Sequence, residues 1–312
     1  MFEYNYNPRT HELFVTLPQN MKFDYSFHCD VAGLLYHALG NDENNEKIES
    51  VILSCKQDVD YDKMSKAYLC NVLGYLLSYR RVKWNMELKR QITSTVSIRD
   101  GAKFQEIRMG DELQKSDQPY YVFHGDKNVQ KPVDEITKLL VEKNITLDEE
   151  EIKEFLSTTI GEIFSNSINH SNQDEIFFMF DIHYEKDDFY LCVNVIDYGT
   201  TIITNVKEFL KTEKNNAFCM NWAIQSGNTT RAGSGGYGLP TLISYIQETK
   251  GTLYIVSGDT IYQFENSNAA VQTVKGFFYG TSITFMVKLY NDEIMRFDKE
   301  HQKIKSISLD DI

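Results

Sequence analysis

The 312-residue chain has no apolar run approaching the roughly 18–20 residues of a membrane span, so a bilayer helix is not expected. Its start, Met1-Phe2-Glu3-Tyr4-Asn5-Tyr6-Asn7, lacks a basic region and an apolar stretch, which argues against a signal peptide. Cysteines are few: Cys29, Cys55, Cys70, Cys192 and Cys219. Their odd number and wide spacing do not support a disulfide framework or a CxxC zinc site, and buried thiols in a cytoplasmic protein are expected. Basic residues are the minority: 32 Lys and Arg against 45 Asp and Glu leave a net charge of −13. So acidic a surface repels a phosphate backbone, which argues against nucleic acid as a partner. The one local basic group, Arg80, Arg81 and Lys83 beside Trp84, reads as a solvated helix end. Gly-Lys-Ser and Gly-Lys-Thr are absent, so there is no Walker A loop. Internal repeats and low-complexity segments are absent as well.

What is present is apolar material. At 42% apolar and 13% aromatic residues, the chain can build sizeable cores. One domain per roughly 150 residues predicts two. The first half reads strand, helix, strand, helix, strand: a strand at 11–17, a helix over 31–39, the apolar run Ser50–Cys55, a helix over 63–82, and a strand near Trp84. That alternation predicts an α/β unit, and the Gly- and Pro-punctuated stretch at 99–132 sets its boundary near residue 125. Beyond it, helices are predicted over 133–143 and 148–169, then strands at 175–183 and 189–196 joined by Lys186-Asp187-Asp188. Helical segments near 206–211 and 218–225 follow, and then a helix over 239–249. A hairpin of 251–256 with 261–264 and a last strand at 281–289 close the pattern, leaving 291–312 as a polar tail.

Four features in the second half point to chemistry. On the long helix, Glu162 and Asn166 are four apart and share a face; Asn169 and His170 follow three and four beyond Asn166. Asp197-Tyr198-Gly199 ends an apolar strand, where a glycine permits close backbone approach and a carboxylate can accept a hydrogen bond. Gly233-Ser234-Gly235-Gly236-Tyr237-Gly238 puts four glycines in six residues just before the helix that begins at Leu239. Converging N–H groups and a helix N-terminus there suit phosphate. Gly280-Thr281-Ser282 enters the last strand. Gly233, Gly235 and Gly238 also satisfy G-x-G-x-x-G with Asp259 downstream, but polar loop residues precede them where the dinucleotide fingerprint needs a strand.

In this order the features resemble the GHKL ATPase superfamily, which includes gyrase B, heat-shock chaperones, sensor histidine kinases and mismatch-repair ATPases. The segment 162–170 resembles its N box, 197–199 its G1 box, 233–239 its G2 box, and Gly280-Thr281 its last box. The resemblance covers about residues 130–290 and implies a Bergerat-type ATP-binding fold over 126–290, with helices on one face of a mixed sheet, behind a smaller N-terminal α/β domain over 1–125. That N-terminal unit is similar in element order to a STAS domain, and Ser65 near its second helix is not taken as a phosphorylation site.

The resemblance also implies roles. Asn166 would hold Mg²⁺ on the ATP phosphates, with Asn169 and His170 near the nucleotide. Asp197 would accept a hydrogen bond from the adenine amino group, beside Gly199 and with Thr281 in support. Gly233, Ser234, Gly235, Gly236, Tyr237, Gly238 and Leu239 would form the lid over the phosphates. Glu162 would activate water. The G1 box usually ends in a second glycine; Thr201 stands there, and its bulk is expected to narrow the rim. A histidine kinase needs a phosphoacceptor on an upstream helix, and no histidine lies between Pro132 and Glu162. The expectation is ATP hydrolysis coupled to self-association or a protein partner. An anti-sigma-like serine kinase and a non-catalytic nucleotide sensor are the alternatives.

Overall fold

A computed structural model of the chain describes residues 1–40, 47–55, 58–77, 79–84, 120–124, 130–142, 149–171, 175–185, 188–230 and 238–289. In the first half, β1 (Glu3–Asn7) and β2 (Glu12–Leu17) form an antiparallel hairpin. The two-residue β3 (Asn20–Met21) leads into α1 (Tyr25–Leu39), β4 (Ser50–Cys55), the short β5 (Asp60–Tyr61), α2 (Lys63–Leu77) and β6 (Arg81–Trp84). The strands β2, β4 and β6 are parallel, giving a sheet of order β1-β2-β4-β6 with each helix as a crossover.

The helix ends are set by identifiable side chains. Asp24 caps α1 by accepting from the Phe27 N–H at 3.1 Å, and Asp62 caps α2 by accepting from the Ser65 N–H at 2.8 Å. Ser65 is fully buried and its hydroxyl donates to the same Asp62 carboxylate at 2.8 Å. Arg80 is buried and donates to the carbonyls of Ala38 (2.8 Å) and Leu39 (3.1 Å) at the end of α1. The solvated basic end expected at Arg80, Arg81 and Lys83 is therefore divided: Arg80 is a C-terminal cap, and Lys83 is paired with Glu12 at 2.7 Å.

In the second half, β7 (Tyr120–His124), α3 (Gln130–Glu142), α4 (Glu149–His170), β8 (Glu175–Glu185), β9 (Asp188–Asp197), α5 (Ile202–Leu210), α6 (Asn216–Ala223), α7 (Gly238–Glu248), β10 (Thr252–Glu265) and β11 (Asn268–Lys288) follow. The sheet order is β10-β11-β9-β8-β7. Its pairings are all antiparallel, so the mixed sheet expected from the resemblance is not what the strands form. The expected hairpin of 251–256 with 261–264 is corrected too. Residues 252–265 are one long strand, with register shifts at Ser257–Thr260, and the reversal comes at Asn266 and Ser267, both with positive φ.

Both faces of the five-stranded sheet are covered: the helices of the second half all lie on one face, and α1 and α2 of the first half cover the other. One face carries Phe178, Val193, Val195, Ile255 and Phe285 against the helices α3 to α7. The other carries Met179, Cys192, Ile196, Val256 and Phe278 against α1 and α2, in one core with Val15, Val51 and Leu53 of the first sheet. The layers thus run sheet, helices, sheet, helices. Sandwiched between two sheets, α1 and α2 are buried nearly all round, with Phe27, Val31, Leu34, Leu35, Tyr68, Leu69 and Leu73 inaccessible. All five cysteines are free, and Cys70, Cys192 and Cys219 are buried. Among the described residues no helix is long and apolar enough to cross a membrane.

Candidate functional site

A cavity of about 300 Å³ opens on the α3–α7 side of the sheet. The helix α4 supplies Glu162, Asn166, Ser167 and His170; the strand ends supply Asp197 and Thr281; the start of α7 supplies Gly238 and Leu239. An apolar wall comes from Ile202, Val206, Trp222 and Ile283. Five separate stretches of sequence therefore meet in one concave site of ligand size.

Asp197 is the last residue of β9 and pairs with Thr281 of β11. It is 3% exposed, and burial pushes its carboxyl up from 3.8 to about 7. Hydrogen bonds from the Gly199 N–H, the Ser167 side chain and the Thr281 N–H oppose that rise. The turn after Asp197 is tight. A Cβ on Gly199 would lie 2.1 Å from the Ser171 carbonyl oxygen, which accepts from the Thr200 N–H at 2.7 Å. Gly280, with φ +140°, crosses the other side, where a Cβ would lie 2.0 Å from the Asp197 carbonyl oxygen. The neighbouring strand β11 and the end of α4 thus fix the turn after the carboxylate from both sides.

Below it, the Ser257 hydroxyl accepts from the Ile202 N–H, donates to the Gly280 carbonyl and lies 2.9 Å from Thr281 Oγ1. It joins α5 to both strands. Thr201, expected to crowd the rim, caps α5 instead, accepting from the Thr204 N–H at 3.1 Å; its neighbours Thr200 and Ile202 line the cavity.

At the other end, Gly238 packs directly on Glu162 and Asn166. A Cβ there would lie 2.5 Å from Glu162 Oε2 and 3.3 Å from Asn166 Nδ2. His170 lies with Nδ1 3.2 Å from Thr230 Oγ1, and its carbonyl accepts from Asn205 Nδ2 at 2.9 Å. Asn169 is not brought in. It is exposed, and its amide turns back to donate to the Ser165 carbonyl at 2.6 Å, one helical turn earlier. Gly199 does not line the cavity; it shapes the turn. Gly233, Ser234, Gly235, Gly236 and Tyr237 lie outside the described residues.

Sequence reasoning missed Ser167, Asn205, Trp222, Thr230 and Ser257. Ser167 was available inside the segment 162–170, one residue past Asn166, whereas Ser257 sits mid-strand with no local signal. Among the described residues no three His, Cys, Asp or Glu side chains gather as a metal site. One amide and one carboxylate, Asn166 and Glu162, suit a hard cation that arrives mostly liganded by phosphates and water. No protein-family model matches the chain, and no curated protein does.

Proposed function

We propose that the chain is an Mg²⁺-dependent ATP-binding protein of the GHKL class that hydrolyses ATP, with Glu162 as general base. The observation that carries this reading is the convergence of Glu162, Asn166, His170, Asp197, Gly238, Leu239 and Thr281 on one cavity. Asp197, as the carboxylate, accepts a hydrogen bond from the adenine amino group, while Ile202, Val206 and Trp222 give the base an apolar wall. The N-terminus of α7 begins at Gly238, beside Glu162 and Asn166, and a helix N-terminus there favours phosphate. Asn166 would hold Mg²⁺, which when bound neutralises phosphate charge. Glu162 orients a water and takes its proton as the water oxygen bonds to the terminal phosphorus and the bridging P–O bond breaks. In this reading, nucleotide-driven change is coupled to self-association or a protein partner, with the STAS-like N-terminal half on the back of the sheet as the part that feels it.

Trp222 lines the cavity and is one of two tryptophans, so its fluorescence reports occupancy. The wild type is expected to bind Mg-ATP, and Asn166→Ala to bind at least about tenfold more weakly, the loss expected of a charge-assisted contact. Glu162→Ala is expected to keep binding and lose phosphate release by roughly a hundredfold or more. No binding by wild type, or equal binding by Asn166→Ala, would sink the reading. Transfer of labelled phosphate to protein in place of water would favour the serine-kinase alternative.

A further inference from the structure

This inference rests on the reading of Asp197 as the acceptor for the adenine amino group. Asp197 and Tyr198 are consecutive at the end of an extended strand, so their side chains leave opposite faces of the sheet. Asp197 enters the cavity. Tyr198 enters the layer of α1 and α2, where its ring lies parallel to that of Tyr75, with centroids 3.7 Å apart and planes 2° apart. Phe278 covers its other side at 5.8 Å, and Phe177 meets it edge-on at 5.4 Å. The Tyr198 hydroxyl donates to Oδ1 of Asn71, a side chain only 3% exposed.

Asn71 and Tyr75 are four residues apart on α2 and share one helix face. A single helix of the N-terminal half therefore grips the residue next to Asp197 twice, by a stack and by a hydrogen bond. A stacked ring alone can slide in its plane; the buried hydrogen bond at its tip fixes where along the stack it sits. The far side of the same turn is tied to α4 through Thr200 and Ser171. The carboxylate thus stands between a C-terminal anchor and an N-terminal one.

We propose that Asn71 and Tyr75 are positioning residues for the base site, acting through Tyr198 to hold the Asp197 carboxylate where it meets an adenine amino group. The N-terminal half would then set how well the site tells adenine from a base without that group. Hydrogen bonds weaken steeply as their angle closes, so a small tilt of the turn is enough to erode that choice.

The test uses the full chain and compares ATP with inosine triphosphate, which carries an oxygen in place of the amino group. Affinities are read from Trp222 fluorescence. Tyr198→Phe keeps the ring and drops the hydroxyl; Asn71→Ala removes its acceptor; Tyr75→Ala removes the stack. Each is expected to weaken ATP binding by about threefold to tenfold, the range one hydrogen bond's net worth gives, and to leave inosine triphosphate as in wild type. Tyr75→Phe, which keeps the stack, is expected to restore the preference lost in Tyr75→Ala. Equal weakening of both nucleotides, or unchanged ATP affinity in Tyr198→Phe and Asn71→Ala, overturns the proposal. If wild type prefers ATP and Asp197→Asn loses that preference while the α2 variants keep it, only the positioning role falls. If wild type does not bind ATP, the functional reading falls and this proposal with it.

Discussion

Along β9, Cys192, Asn194 and Ile196 face α1 and α2, whereas Val193, Val195 and Asp197 face the other helices, and all six are buried. What differs is how the polar groups are treated. On the α1–α2 side, the Asn194 amide donates to Ser282 Oγ at 2.9 Å and Thr284 Oγ1 at 2.7 Å; its Oδ1 has no hydrogen-bond partner among the described residues, but the group is neutral and buries no charge. On the cavity side, the three donors on Asp197 do not prevent burial from lifting its carboxyl to about 7. One face is built for packing; the other holds an ionisable group short of compensation, which a ligand's donor can supply.

Changes on the packing face should therefore cost stability, and changes on the cavity face should cost binding. The largest stability loss is expected from Tyr68→Ala. Tyr68 is inaccessible and packs with Phe23, Phe27 and His28, so its removal should destabilise by about 3–5 kcal/mol in denaturant unfolding. A loss below about 1 kcal/mol would mean that the layer between the sheets repacks freely.

Asp197→Asn sharpens the contrast by moving stability the other way. The Asp197 carboxyl is raised from 3.8 to about 7, so its proton favours the folded state fully below 3.8, and that contribution is lost as pH rises through about 7. Above about 7 the wild type bears the cost of a buried charge, and Asp197→Asn should be more stable there by roughly 2–4 kcal/mol. The gain should shrink toward acid and vanish near 3.8. ATP affinity of the wild type should rise as pH passes about 7, while Asp197→Asn stays weak throughout. A melting-temperature difference independent of pH would show that Asp197 is not the titrating group.

The smallest effect is expected at His28. The ring is 1% exposed among Phe23, Tyr68 and Tyr254, and among the described residues neither nitrogen has a hydrogen-bond partner. Burial lowers its pKa to about 3, so it is neutral at ordinary pH. His28→Leu removes two buried polar atoms and should stabilise by about 1 kcal/mol in the same unfolding assay. Destabilisation would mean that the buried ring nitrogens are satisfied in the folded protein.

The elements that sequence periodicity reached are those whose defining signals are local. The hairpin of β8 and β9, the strand Ser50–Cys55 and the helix carrying Glu162 and Asn166 were legible because their apolar spacing, turn residues and acidic first turn lie within a few residues. The β10–β11 hairpin was misread at Gly258-Asp259, a bulge in a continuing strand, while Asn266-Ser267-Asn268 carried the actual turn. Thr201 was read as crowding because its role as a cap depends on a helix beginning at Ile202, four residues earlier than the apolar spacing showed. Asn169 fits the spacing of a site residue, yet its amide is taken by a carbonyl of its own helix.

The sequence by itself determined the alternation of strands and helices, the apolar spacing that marks α1 and α2 as helices, and which residue types stand at the ends of α4 and β9. Those follow from backbone periodicity and side-chain chemistry, which act over a few residues. Only the tertiary structure decided that α1 and α2 lie between two sheets, that Glu162, Asp197 and Gly238 share a cavity, and that Tyr198 is held by Asn71 and Tyr75 from the other half. Those contacts join residues up to 247 positions apart, and closing such loops is rewarded only when whole faces bury against each other, a balance no local pattern records.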